Sequence, residues 1–186
     1  MAKKYELVPG DTKIYSDHIT LTRIRALVYI PGTVCAGDLG GYIQHEGNLS
    51  HDGQCWVGDN AMVFEQAKVY DHAVVRDRAS VYGSATIRDG ACVTGDSRVH
   101  GRALIDESAC VIDSAEIDGD TRISGHACVA NNAQVIDAAT VCDYAAASGN
   151  SVFCRTPCAT SLRRRSLSTL VERPGMARSI CPGRTV

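Results

Sequence analysis

The chain has 186 residues and a formal net charge of −2; 45% of it is hydrophobic but only 5% is aromatic. That length suits one domain with a small appendage, and the shortage of rings argues against a conventional aromatic-rich core. No apolar run approaches the roughly 20 residues that span a bilayer, and no secretory leader is visible behind Lys3 and Lys4, so the expectation is a soluble, cytoplasmic protein without membrane association.

Residues 1–50 read as a β cap and lead-in. Tyr5–Val8 and Ile19–Ile30 have strand character, with a turn expected around Pro9, Gly10 and Asp11. The stretch Gly37–Ser50 follows, in which Ile43 and Leu49 suggest an imperfect first turn of what comes next. Gly37, Gly40 and Gly41 read as turn glycines. A phosphate cradle is the alternative, but no P-loop lysine follows them.

From Cys55 to Tyr144 a six-residue unit runs without insertion or deletion. Its first position is small, from Cys55, Ala61 and Ala67 through Ser97 and Thr121 to Ala139. Its third is Val or Ile in all fifteen units, from Val57 and Val63 to Val135 and Val141. A spacing of two between apolar positions is the strand period, and branching at Cβ suits a pleated surface. The fifth position is Asp, Asn, Glu or Gly throughout, as in Asp59, Glu65, Gly83 and Asn131. Such residues are mostly ones that tolerate tight corners. A short strand followed by a corner, repeated, is the pattern of a solenoid.

This unit resembles that of the hexapeptide-repeat family, over about half of the chain. The resemblance implies an all-β, left-handed parallel β-helix of triangular cross-section, three units to a coil. Fifteen units then make about five coils over residues 51–148. With its lead-in, the repeat also looks like a group of uncharacterised phage and enterobacterial members often labelled acyltransferases. For these the implied cofactor is acetyl-CoA or another acyl-CoA, lying between neighbouring prisms, with a histidine as base.

After Asn150 the usage changes. Residues 1–150 hold 12 Lys+Arg against 20 Asp+Glu, whereas residues 151–186 hold seven Arg and the single Glu172. Residues 149–186 read as a basic tail, disordered or out of frame. Arg163–Arg165 lack the aromatic interleaving expected of a nucleic-acid surface. Most of the nine cysteines fall in step with the repeat. They read as small buried or half-buried residues in a reducing compartment, with no CxxC pairing for zinc.

Three units per coil place residues 18 apart in one column. One outward column is Trp56, Val74, Cys92, Cys110, Cys128, an apolar stripe that predicts a homo-oligomer face; covering by the chain's own tail and a metal or redox ladder are the alternatives. At the corners, His100 has Tyr82 one coil before it and Asp118 one coil after, about 4.8 Å away. If the chain is an acyltransferase, as the resemblance implies, His100 is the candidate base and Asp118 its orienting partner. His72 and His126 lie three coils apart, roughly 14 Å, and no histidines stand in the spacing of the family's zinc-dependent carbonic anhydrases. The uninterrupted repeat has no loop to build an acceptor pocket. The second reading is therefore a non-catalytic scaffold or binding solenoid of a phage-derived or bacterial assembly.

Overall fold

The computed structural model describes residues 3–16 and 18–154; the expectations for the basic tail, Arg163–Arg165 included, lie outside those residues. Three longer strands open the chain: β1 (Tyr5–Ser16), β2 (Ile19–Ala26) and β3 (Leu39–Ile43). Seventeen two-residue strands follow at six-residue intervals, from β4 (Trp56–Val57) to β20 (Val152–Phe153). They stack into three sheets, each strand pairing in parallel with the one 18 residues on, as Cys92 and Val93 do with Cys110 and Val111. The result is a parallel β-helix of about six coils.

The repeat explains the geometry. Two residues per strand suffice because each outward residue bonds to the next coil. Val74 N–H, for example, donates to Ala91 O at 2.9 Å and Arg76 N–H to Val93 O at 3.0 Å. The small and branched positions point into the prism, where Ala85, Ile87, Ala103 and Ile105 have no exposed surface. Alternating Ala with Val or Ile fills an interior too narrow for rings.

The corners follow from the fifth position. From Asp59 to Gly149 every such residue has a positive φ, whether it is Asp, Asn, Glu or Gly. The sixth position does not, which is the sign pattern of a type II′ turn. A side chain there carries a conformational cost, and the carboxylates offset it by accepting the N–H of the next coil's corner residue. Asp77 accepts from Gly95 (2.9 Å), Asp113 from Asn131 (3.0 Å) and Glu65 from Gly83 (2.7 Å).

The cap departs from expectation at two points. β1 runs unbroken through Pro9–Asp11, and the register shifts between Leu7 and Thr12. The predicted turn is thus a bulge. Pro9 is tolerated because β1 is the outer edge of its sheet, and Gly10 takes φ +85°. Likewise β2 stops at Ala26, short of the Ile30 expected. The imperfect first turn is present: Ile43 pairs with Val63, and Leu49 bridges to Val69. Tyr5 closes the foot of the prism, stacked on His51 at 4.3 Å, its hydroxyl donating to Leu49 O at 2.8 Å.

At the other end the coil continues past the predicted boundary at 148. Ala146–Ala147 closes the predicted span and Val152–Phe153 adds a strand beyond it, Phe153 pairing with Val135. The unit was hidden because alanine and phenylalanine replace Val or Ile at its third position.

Candidate functional site

The corner that follows the nine-stranded sheet carries the most chemistry. Its fourth-position side chains stack along one edge, and the short coil rise brings successive rings face to face. Phe64 and Tyr82 lie 5.0 Å apart and 4° from parallel, and Tyr82 and His100 4.8 Å apart and 11° from parallel. Tyr15, from the end of β1, tilts over Phe64 at 4.4 Å. Burial pushes the Tyr82 phenol up in pKa, with Tyr15 adding to the effect.

His100 ends this ladder. Its Nδ1 lies 2.9 Å from Asp118 Oδ1, so the predicted pair is in contact. Asp118 Oδ1 also accepts the Gly119 N–H at 2.6 Å. The sequence reading missed a second carboxylate: Glu116 Oε1 stands 3.6 Å from His100 Nε2. Its signal was the outward position two residues before Asp118. Each ring nitrogen thus faces a carboxylate oxygen, Nδ1 toward Asp118 and Nε2 toward Glu116. A depression of about 170 Å³ nearby is lined by Asp96, Arg98, Ser114, Ala115 and Glu116, without His100.

The cysteine column is built as expected above its first member. Val74, Cys92, Cys110 and Cys128 stack in register and are half-buried. Trp56, predicted on this face, is 2% exposed. The chain's own cap covers it, and a side chain at Gly40 would collide with its ring at 2.7 Å. Gly40 and Gly41 are therefore close-packing glycines within β3, whereas Gly37 takes φ +94° with open space around it, as a turn glycine does. Beside Trp56 lies a groove of about 310 Å³ lined also by Thr33, Val34, Asp38, Leu39 and Arg76.

Burial raises the Cys92 and Cys128 thiols, with Cys110 adding to both. Raised thiols stay protonated near neutrality, which weakens the metal and redox reading of this column.

A third cluster was not anticipated. Asp106 is 1% exposed. Its Oδ2 accepts from Arg88 (3.0 Å) and Arg122 (2.9 Å), one from the preceding coil and one from the following. This is a buried anion neutralised by two cations, and each guanidinium reaches solvent.

Among the described residues no helix is long and apolar enough to cross a membrane. Comparison with protein-family models and with curated proteins finds no match.

Proposed function

We propose that this chain is a non-catalytic β-solenoid of the hexapeptide-repeat family, a rigid scaffold that assembles with copies of itself through the Val74–Cys128 stripe. The carrying observation is the unbroken series of coils with one apolar column facing outward on one of the three sheets. Every rung of that column recurs at the same rise. A second copy therefore presents a stripe of matching period, and the apolar side chains of both leave water together. His100 fits this reading as a rung of the aromatic ladder, held between two carboxylates and outside the lining of the nearby depression.

Sedimentation in reducing buffer tests the proposal. The parent should form a concentration-dependent oligomer, and Cys92→Arg/Cys110→Arg should sediment as a monomer with unchanged strand content. A parent that stays monomeric into the hundreds of micromolar range would overturn it.

One observation favours the acyltransferase reading, namely the His100–Asp118 contact, which orients an imidazole as a general base requires. Calorimetric titration with acetyl-CoA, alongside His100→Ala, separates the two. Micromolar binding by the parent would support the enzyme, and weaker transfer by the variant would place its base. No binding at millimolar coenzyme would leave acyl transfer resting on fold analogy.

A further inference from the structure

Lys4 and Cys55 meet at the foot of the prism. Lys4 is 4% exposed and Cys55 has no exposed surface. The lysine Nζ donates to the carbonyls of Cys55 (2.9 Å) and Asp52 (3.3 Å), and its third hydrogen reaches Cys55 Sγ at 3.1 Å. The sulfur is otherwise ringed by the carbonyls of Ser50, Val69 and Asp52 at 3.5, 3.6 and 3.7 Å. An amine and a thiol are thus held in contact, enclosed by backbone. The lysine precedes β1, and the cysteine opens the first complete coil.

We propose that Lys4 and Cys55 form a reversible oxidative cross-link, Nζ–O–Sγ, that locks the N-terminal strand onto the first coil. Peroxide is the oxidant. A first equivalent converts the thiol to a sulfenic acid and releases one water. A second oxidises the sulfenic acid and amine together, after the ammonium has released one proton to solvent: the N–O bond forms, one N–H and the S–O–H proton are lost, and two waters leave. Four equivalents of thiol reductant return the amine, the thiol and one water, and are themselves converted to two disulfides. The separation favours a bridging oxygen. One atom fits between nitrogen and sulfur with little movement, whereas a direct S–N bond would need them to close by about a bond length. Enclosure also directs the chemistry, because the sulfenic acid meets this amine before it can meet another thiol. Burial pushes the Cys55 thiol up and the ammonium draws it back, so the reaction is expected to be slow, and exposure should be prolonged.

The test uses the full chain, treated with hydrogen peroxide or with dithiothreitol and then digested for mass spectrometry. Exposed Cys35 reports the oxidant dose. The expected result is a linked pair of peptides containing Lys4 and Cys55 that has gained one oxygen and lost two hydrogens. It should disappear after dithiothreitol, be absent from Lys4→Arg, and coincide with a melting temperature several degrees higher. Recovery of Lys4 and Cys55 on separate peptides after Cys35 is fully oxidised would overturn the proposal. So would a linked pair that has lost two hydrogens and gained no oxygen. The parent chain decides the matter even if Lys4→Arg fails to fold.

Discussion

Nδ1 of His100 lies 2.9 Å from Oδ1 of Asp118, its neighbour one coil on, while the other face of the ring stacks on Tyr82 at 4.8 Å. The same imidazole is therefore a rung between an aromatic and a carboxylate. As a rung it should be replaceable by another ring. His100→Phe is expected to leave stability within about 0.5 kcal/mol, and His100→Ala to lose about 1 kcal/mol with the stack. Urea unfolding of both variants checks this; equal losses would show that the stack contributes nothing.

The corners offer a paired test. Asp77 sits at φ 59° and accepts from Gly95, whose own φ is 75°. Asp77→Gly relieves the backbone and loses one hydrogen bond, so it should change stability by less than about 1 kcal/mol. Gly95→Ala puts a Cβ 2.5 Å from the Asp113 carbonyl in a left-handed conformation, and should cost about 2 kcal/mol. Thermal melts of the two proteins, compared with the parent, give the order.

Thr121 occupies the small inward position, is 1% exposed, and its hydroxyl has no hydrogen-bond partner. Thr121→Val keeps the shape and removes the unsatisfied oxygen. It should stabilise the coil by about 1 kcal/mol, seen as a higher urea midpoint at unchanged slope. Ser97, at an equivalent position, donates to Thr94 O at 2.8 Å, so Ser97→Ala should give no such gain.

Asp106 holds Arg88 and Arg122 through one oxygen. Asp106→Ala leaves two guanidinium groups without their anion and should cost about 2 kcal/mol. That is less than for a fully buried pair, because both arginines reach water. Chemical denaturation at low and high salt checks the size and its screening.

Acid should act through the exposed bidentate pairs. Hydrogen bonds from Arg78 and Arg102 hold the Asp96 and Asp120 carboxyls below the usual carboxylate range. A carboxyl lowered in the folded state adds stability above its ordinary pKa, and that stability is lost as pH falls through the lowered value. The parent should therefore lose more melting temperature between neutral pH and pH ~3 than Asp96→Asn/Asp120→Asn does. Added salt should shrink the difference. An identical acid dependence in both proteins would show that the pairs are silent.

The sequence by itself determined the repeated strand and corner of a solenoid, because a six-residue period without insertions repeats one local unit; three units to a coil, and with them the 18-residue register that pairs His100 with Asp118, followed from the resemblance to the hexapeptide-repeat unit. Columns are arithmetic once three units are set to a coil. Only the tertiary structure decided what the columns touch at their ends. Trp56 reads as exposed in the repeat, yet it is covered by a cap whose path depends on a bulge at Pro9–Gly10 and on close approach at Gly40. Glu116 faces His100, and Asp106 takes cations from two coils, because long side chains reach diagonally between columns. Lys4 finds Cys55 across the foot of the prism through a contact between distant segments that no local period encodes.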